Sequence, residues 1–305
     1  QYTEQLQALE QNPEVRLEFF DKAEWEHLDF GIAPISSEFA PLFQSKLTRQ
    51  AIAMCIDRQQ INSEIAYASS SAPNSFVAES HANYHSGVRT YVYDPVAAAA
   101  LFDAAGWIDE DADPATARTS LGVTGIEDGT PFAFTVLTTP DEDRQKVAQA
   151  IQATLAQCGV MVQVEAYPPE QLFQPGPDGL LFGRQFHSAL FSWAGEDRQV
   201  CKFFTSQEIP GDYPQFMKGW GGANLSGYSN TEFDQACSLS LRALPGTPDY
   251  VNSFALAQSI FSEDLPAIPL FFRENVIAKK NDICEPLTDS DAGFTLWNLE
   301  LLTPL

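Results

Sequence analysis

Residues 132–166 read FAFTVLTTPDEDRQKVAQAIQATLAQCGVMVQVEA and decide the fold class. Residues 132–137 have the β-branched and aromatic composition of a strand, and a helix is predicted to begin near Pro140 and to end at Gly159. Residues 160–166 are again β-rich. A strand, a helix and a second strand within about 35 residues form a βαβ unit, whose crossover requires a parallel strand pair. The stretch therefore predicts an α/β fold.

The rest of the chain adds helices and strands around this unit. Capping and apolar periodicity predict further helices that start at four positions, namely Lys46, Asp94, Thr231 and Thr247. Further strands are predicted for residues 186–193, 267–272 and 276–279. Between the first of these strands and Asn230 lies the longest stretch without convincing periodicity. Long irregular segments in a compact domain are usually functional, so we expect a binding loop there.

Charge and hydropathy argue against a nucleic-acid partner and against a membrane span. The 305 residues include 17 Lys and Arg against 41 Asp and Glu, which gives a formal net charge of -24. Nucleic acid is bound by clustered cations, and the sequence has no basic run beyond Lys279–Lys280, so we expect no nucleic-acid partner. No stretch approaches the 18 uninterrupted apolar residues that predict a membrane span.

Sequence signatures of catalysis and of metal binding are absent. There is no HExxH, no G-x-S-x-G, no GxxxxGK[ST] and no GxGxxG. Asp109, Asp111 and Asp113 begin a calcium-loop pattern, but the required Gly and bidentate Glu are missing, so a solvated acidic turn is favoured. His81 and His85 lie in a loop-like segment and are weak metal candidates. We expect no enzyme activity, no cofactor and no metal.

The five cysteines show no CxxC spacing and no companion His pair. Cys201 and Cys237 flank the irregular segment, and we predict a disulfide between them if the protein is exported, because this crosslink would limit loop entropy. Cys55 and Cys158 fall on apolar helix faces or helix ends and are expected to be buried thiols.

Five phrases occur in a fixed order along the chain. They are KLTRQAIAMCIDRQQI (46–61), YDPVAAAALFDAAGW (93–107), GANLSGYSNTEFDQAC (222–237), LPAIPLFFRENVIAK (265–279) and WNLE (297–300). In order and spacing they resemble the extracellular solute-binding proteins of family 5, the peptide, nickel and related receptors of ABC importers. The resemblance starts in the middle of the family's chain.

The resemblance implies one half of a two-lobed clamp of the large, type II periplasmic-binding-protein-like class. Residues 31–280 would be its second lobe, with a mixed sheet and surrounding helices. Residues 1–30 would be a crossover remnant of the absent first lobe, and residues 281–305 a C-terminal return toward that lobe. The hinge beside the cleft is expected at about residues 30 and 280.

The phrase FSWAGEDRQ carries the residues that the resemblance assigns to the ligand. Trp193 matches an aromatic residue of peptide-binding members, and Glu196 matches by spacing the acid that receives the terminal ammonium of the ligand. Asp197 is adjacent, and a one-residue difference in the loop would exchange the two roles. Arg198 could neutralise one carboxylate. A solvated acidic turn is the competing interpretation.

Arg184 and Asn224 complete the candidate site. Arg184 could pair bidentately with a ligand carboxylate, and its alternative role is a surface ion pair. Asn224 matches an Asn that often lines the family's cleft, although an Asn also stabilises turns. We expect Arg184, Asn224 and Trp193 to lie on one face together with Glu196 and Asp197.

The leading functional expectation is a component of a transport receptor that binds a peptide or a similar small polar solute without changing it. Its partners would be the missing N-terminal lobe and the membrane permease of an ABC importer. It would be extracellular or periplasmic and membrane-tethered through a missing N-terminal segment. Two alternatives stay open, a ligand-sensing domain of a bacterial transcription regulator and an enzyme without a recognisable motif.

Overall fold

A five-stranded mixed sheet forms the centre of the molecule. The computed structural model describes residue 6 and residues 8–66, 71–195, 197–284 and 303–304. The sheet strands are β1 (Val15–Phe30), β4 (Ala133–Thr138), β5 (Met161–Ala166), β6 (Ser188–Ala194) and β7 (Ala267–Lys280), in the spatial order β5-β4-β6-β1-β7. Two small ribbons lie outside it, β2 (Trp107–Ile108) with β3 (Thr119–Ser120) and β8 (Ile283–Cys284) with β9 (Thr303–Pro304).

The helices surround this sheet. They are α1 (Lys46–Cys55), α2 (Arg58–Gln60), which continues as a π-helical segment (Ile61–Ala66), α3 (Pro95–Ala104), α4 (Glu142–Ala156), α5 (Pro169–Leu172), α6 (Asp197–Lys202), a 3₁₀ turn (Ser206–Glu208), α7 (Thr231–Arg242) and α8 (Pro248–Asp264). Side-chain caps start several of them, as the sequence indicates. Asp57, Asp94, Asp141 and Thr247 each accept a hydrogen bond from a backbone amide three residues later, which satisfies one of the free donors of a helix start.

The predicted βαβ unit is confirmed. β4 and β5 pair in parallel over their whole length, from Ala133 opposite Met161 to Thr138 opposite Ala166. Helix α4 connects them and buries its apolar stripe, Val147, Ile151 and Leu155, against the sheet. β6 is also parallel to β4, whereas β1 is antiparallel to both β6 and β7. The sheet is therefore mixed, as expected.

Strand β1 changes the expected boundary of the lobe. Residues 24–30 lie in the middle of the sheet, paired with β6 on one side and β7 on the other. The first part of β1 continues beyond the sheet and pairs only with β7, from Val15 opposite Lys280 to Asp21 opposite Glu274. We therefore assign residues 24–30 to the lobe, because Trp25, Leu28 and Phe30 are buried in its core.

The two faces of the sheet bury different apolar clusters. On one face, Leu28 and Phe30 of β1 pack with side chains of α1, α3 and α4. On the other face, Trp25 packs with α6, α7, α8 and residues 76–78. A third cluster around Phe186 and Phe191 covers the neighbouring part of that face. Burial on both faces is the usual solution for a sheet with parallel strands.

Two disulfides lie within the described residues. Cys201 and Cys237 form the predicted pair, with Cα atoms 5.9 Å apart, and link α6 to α7. The prediction that Cys55 and Cys158 are free buried thiols is wrong, because they form a second disulfide with a Cα separation of 6.3 Å. These residues are 103 positions apart and meet where α1 and α4 end. Local periodicity indicates their burial but carries no information about this contact.

Within the described residues, none of the helices combines the length and the apolar character that crossing a bilayer requires.

Candidate functional site

Three parallel strands end at one edge of the sheet. β4, β5 and β6 run in the same direction and finish at Thr138, Ala166 and Ala194, and β6 extends furthest, because its first residues, Ser188 and Ala189, already pair with Val136 and Leu137 near the end of β4. In open α/β sheets, ligands bind beyond the carboxyl ends of parallel strands, where the following loops converge. The part of β1 and β7 that extends as a two-stranded ribbon leaves the sheet at this same edge, because Glu24 pairs with Ala194. We call this region the carboxyl edge.

Trp193 lies at the carboxyl edge, one residue before β6 ends. Its ring is half-buried and contacts Phe191 and Phe203, with ring centroids 5.4 and 4.9 Å away. Its cross-strand neighbour in β1 is Trp25. The chain then turns through Gly195 into α6. A half-buried aromatic side chain that is held by two other rings presents a fixed apolar surface to whatever fills the edge.

The two acids expected beside Trp193 fall outside the detailed description. Glu196 lies outside the described residues. Asp197 begins helix α6, and its side chain lies outside the described features. Their roles therefore stay predictions.

A buried ion-pair network lies next to the carboxyl edge, and the sequence analysis did not predict it. Glu26 is 1% exposed and accepts hydrogen bonds from two arginines, Nη2 of Arg144 at 3.0 Å and Nη2 of Arg273 at 2.9 Å. Arg273 Nε lies 3.1 Å from Oε1 of Glu24, which also accepts a hydrogen bond from Ser192 Oγ at 2.9 Å. Three strands and helix α4 thus meet in one network. Its sequence signal is the alternation of Glu24 and Glu26 between apolar residues of β1.

The network also holds the loop between β4 and α4 at the carboxyl edge. Arg144 lies in the first turn of α4, and its Nη1 donates to Thr139 Oγ1 at 2.7 Å. Burial alone would lower the pKa of Arg273, but the charges and hydrogen bonds of Glu26 and Glu24 raise it. Arg273 therefore stays cationic. A buried carboxylate that pairs with two guanidinium groups keeps its neighbours in one arrangement, and breaking such a pair is costly.

Arg184 lies at the opposite end of β6. It precedes Ser188, the first residue of the strand, and Ser188 itself lies about 16 Å from Trp193 at about 3.3 Å per residue. Its Nη1 donates to the backbone carbonyl of Ala33 at 2.9 Å. The guanidinium passes close to Gly227, where a Cβ atom would approach Nη1 to 2.8 Å. Among the described residues it has no ion pair, so its observed role is to fasten residue 33 to the start of β6.

Asn224 serves the fold of its own turn. It is fully buried. Its Nδ2 donates to the carbonyls of Thr205 at 2.9 Å and Tyr228 at 2.8 Å, and its Oδ1 accepts from Ser226 Oγ at 2.8 Å. Because the amide is used inside the chain, the turn-stabilising alternative describes Asn224, and the expectation that it lines a cleft is not supported. Its loop pairs with residues 32–33, at the end of the sheet remote from Trp193.

The sequence phrases that carry the family resemblance meet in the interior of the protein. Arg49, from the first phrase, donates to the carbonyls of Asp264 and Leu265, where α8 ends. Arg58, from the same phrase, donates to three carbonyls and one amide oxygen. Tyr228, from the third phrase, donates its hydroxyl to Asp264 at 2.6 Å. The observed role of these residues is to join separate segments of the chain.

The acidic turn at residues 109–113 has the geometry of a self-contained turn. The carboxylates of Asp109, Asp111 and Asp113 each accept a backbone N–H from within the turn, and Thr116 donates its hydroxyl to Asp111. These hydrogen bonds lower the pKa of Asp111. Across the described part of the chain, no group of three His, Cys, Asp or Glu residues is placed to hold a metal ion.

Comparison with known proteins gives a family and a fold. The family model described as bacterial extracellular solute-binding proteins, family 5 Middle, matches residues 1–238. Among solved structures, the oligopeptide-binding protein of Thermus thermophilus, complexed with a pentapeptide, is similar with a TM-score of 0.75 and 21% identity over 94% of this chain and 48% of that chain. No curated protein matches the sequence.

Two further solved structures share the fold. AppA of Bacillus subtilis, in complex with a nonapeptide, gives a TM-score of 0.69 and 20% identity over 99% of this chain and 55% of that chain. NikA of Brucella suis, in complex with Fe(III)-EDTA, gives 0.73 and 16% over the same shares, 99% and 55%. The present chain therefore spans about half the length of these proteins.

Proposed function

The chain belongs to the bacterial extracellular solute-binding proteins, family 5, and on this premise we propose that it is the C-terminal lobe of the substrate-binding component of an ABC importer. Its solute would be a peptide or a similar small polar molecule. It would act outside the cytoplasm, extracellular or periplasmic, and would be tethered to the membrane through an N-terminal segment of the whole protein. Binding, and not chemical conversion, would be its activity.

One observation carries this proposal. The carboxyl ends of β4, β5 and β6 point to the same edge of the sheet, and the ribbon of β1 and β7 leaves the sheet at the end of β6, the strand that extends furthest. A ribbon in this position would lead to the N-terminal lobe, so the edge would form one wall of the cleft between the two lobes. The Thermus thermophilus and Bacillus subtilis proteins, whose structures contain peptides, have this fold.

The chemistry of the carboxyl edge suits a peptide. Trp193 would supply a rigid apolar surface, and Glu196 or Asp197 would accept the terminal ammonium by a charge-assisted hydrogen bond. The network around Glu26 would keep Trp193 and the loop between β4 and α4 in place. It joins Ser192, the neighbour of Trp193, to helix α4 through Glu24, Arg273, Glu26 and Arg144. Arg184 and Asn224 lie at the other end of β6 and are not part of this proposal.

A single lobe should bind only weakly. In a two-lobed clamp the ligand contacts both walls, and closure of the hinge removes it from water. One wall leaves most of the ligand solvated, so the lost contacts and the retained hydration both lower affinity. We therefore expect dissociation constants in the millimolar range for the 305-residue chain, on the order of –4 kcal/mol of binding free energy.

The test is a titration of the 305-residue chain with tri-L-alanine, followed by the indole N–H signals in ¹H–¹⁵N NMR spectra. We expect the signal of Trp193 to shift with the tripeptide and to shift much less with N-acetyl-tri-L-alanine, which lacks the ammonium group. W193F removes this signal and so assigns it in the spectrum. W220F is the matched control and should leave the response of the Trp193 signal unchanged, because Trp220 is also half-buried but donates its Nε1–H to Phe182 in another loop.

Two results would contradict the proposal. Submicromolar binding of tri-L-alanine to the 305-residue chain would mean that a self-contained pocket exists elsewhere. Equal responses to the free and the acetylated tripeptide, with E196Q and D197N both without effect, would mean that no acid at the carboxyl edge receives an ammonium group.

A further inference from the structure

Strand β1 carries a buried acid–imidazole pair that the proposed binding site does not use. His27 and Asp29 alternate on one face of β1, and both side chains are at most 2% exposed. Nε2 of His27 lies 3.4 Å from Oδ1 of Asp29. Neither atom has another hydrogen-bond partner in the described structure. Because these two facing atoms have no other partner and burying a net charge is costly, the protonation of one group depends on that of the other.

Geometry identifies one donor of the imidazole ring. Nδ1 of His27 lies 3.2 Å from the backbone carbonyl of Trp25, which can only accept, so Nδ1 carries a proton. The ring stacks on the Trp25 indole at 4.2 Å and meets the edge of Phe191 at 4.6 Å. With Nδ1 protonated and the ring neutral, Nε2 is an acceptor. Among the described residues, its available donor is a protonated carboxyl group of Asp29.

The cross-strand neighbours of the pair are apolar. The cross-strand neighbours of His27 are Phe191 in β6 and Pro269 in β7, and those of Asp29 are Ala189 and Ala267. The loops and helices packed on this face contribute apolar clusters. The charge that acts on His27 is that of Arg144, which belongs to the network on the opposite face of the sheet and disfavours an imidazolium.

We propose that His27 and Asp29 hold one proton between them, on the Asp29 carboxyl group, and that this proton makes the stability of the lobe sensitive to pH. Burial acts in the same sense on both groups. It lowers the pKa of His27 to about 3, against the opposing hydrogen bond to Trp25, and it raises the pKa of Asp29 well above its usual range. The carboxyl group therefore donates to Nε2, and no net charge is buried.

The direction of the pH dependence follows from proton counts. In the unfolded chain Asp29 and His27 titrate near their ordinary pKa values of about 3.9 and 6.5. Between these two values the unfolded pair holds one proton, as does the folded pair, so the pair contributes no pH dependence. Above about pH 6.5 the unfolded pair holds none, and folding then takes up one proton. The folding equilibrium constant should fall about tenfold per pH unit there.

D29N should reverse this profile. An asparagine has the same shape and can donate its amide N–H to Nε2, but it carries no titrating proton. Folded D29N then binds no proton, while unfolded His27 binds one below about pH 6.5. Stability of D29N should be flat above that value and should fall about tenfold in the folding constant per pH unit below it, down to about pH 4.

The measurement is urea unfolding of the 305-residue chain from pH 4.5 to 8.5, expressed as the ratio of the D29N and wild-type folding constants. The ratio should rise about tenfold per pH unit across the whole range. Below about pH 6.5 it rises because D29N becomes more stable as the pH increases, and above that value it rises because the wild type becomes less stable. The other carboxylates cancel in this ratio. D178N, at an exposed position, is the control and should give a constant ratio.

Two outcomes would overturn the proposal. A D29N ratio that does not change with pH would mean that folded Asp29 is ionised beside a neutral His27 and that no proton is shared. ¹⁵N NMR signals of a doubly protonated His27 ring at pH 6 would place the proton on the imidazole instead of the carboxyl group. Neither outcome depends on ligand binding, so this test and that of the carboxyl edge fail independently.

Discussion

Replacing Arg58 by methionine should remove a large part of the stability of this protein. Arg58 is buried, and its guanidinium donates four hydrogen bonds, to the carbonyls of Pro73, Pro269 and Tyr91 and to Oδ1 of Asn74. It has no ion pair among the described residues. Burial lowers its pKa to about 10, so it stays charged at neutral pH. One side chain thus joins α2, two loop segments and strand β7.

The expected cost follows from these contacts. Hydrogen bonds to a charged donor contribute about 1.5 kcal/mol each at the lower end, so four of them contribute about 6 kcal/mol. Methionine has a similar length but removes all four donated hydrogen bonds, and of these acceptors Oδ1 of Asn74 keeps another donor, the backbone N–H of Tyr91 at 3.3 Å. The substitution also removes a buried charge that has no counterion among the described residues. The cost of desolvating this charge then no longer opposes folding, which offsets part of the lost stability. We expect R58M to lower the free energy of unfolding by about 4 kcal/mol, a large part of the roughly 5–15 kcal/mol typical of a domain.

The assay is urea unfolding followed by far-ultraviolet circular dichroism, with a thermal scan for each variant. R58M should lower the melting temperature by about 8 °C, at roughly 2 °C per kcal/mol for a chain of this size. R58K keeps the charge but gathers its donors at one point, so we expect about half the loss. R242M, on the exposed face of α7, is the control and should change stability by less than about 0.5 kcal/mol. A loss below about 1 kcal/mol for R58M would refute the argument.

Two further predictions concern the disulfides and the surface charge. The variant C55A/C158A should lose about 2–4 kcal/mol of unfolding free energy, because the bond closes a segment with a sequence separation of 103 residues; C201A/C237A, whose separation is 36, should lose less by about 1 kcal/mol, and the opposite order in urea unfolding would contradict the loop-entropy reason. Raising sodium chloride from 0.05 to 1 M should raise the melting temperature by several degrees, because the net charge of -24 is then screened within about 3 Å. A melting temperature that stays constant or falls over this range would show that repulsion between carboxylates is not a significant cost.

Local signals in the sequence determined the elements of this fold. Asp94 and Thr247 accept the backbone hydrogen bonds that their capping positions predict. Residues 132–166 form the predicted parallel pair and its helix. These features depend on hydrogen bonds and on apolar periodicity within a few residues of each other, and such information is present in any short window of the chain. The order of the family phrases likewise identifies the family, although Arg49 and Arg58 in those phrases prove to be structural.

Contacts between distant segments required the tertiary structure. Cys55 and Cys158 each look like a buried thiol until α1 and α4 bring them together. The role of Glu26 depends on its hydrogen bonds with Arg144 and Arg273, which are 118 and 247 residues away in the sequence. Arg184 precedes β6 and therefore lies at the other end of that strand from Trp193, whereas Asn224 is held by the carbonyls of Thr205 and Tyr228.

The physical reason is the difference in range between the two kinds of interaction. Caps, helical periods and strand alternation are set by the backbone geometry of neighbouring residues. The state of a buried charge depends on which groups the packed core places beside it. The pair of His27 and Asp29 illustrates both, because alternation in β1 puts them on one face, whereas only the packing of β6 and β7 around them removes water and makes one proton serve both side chains.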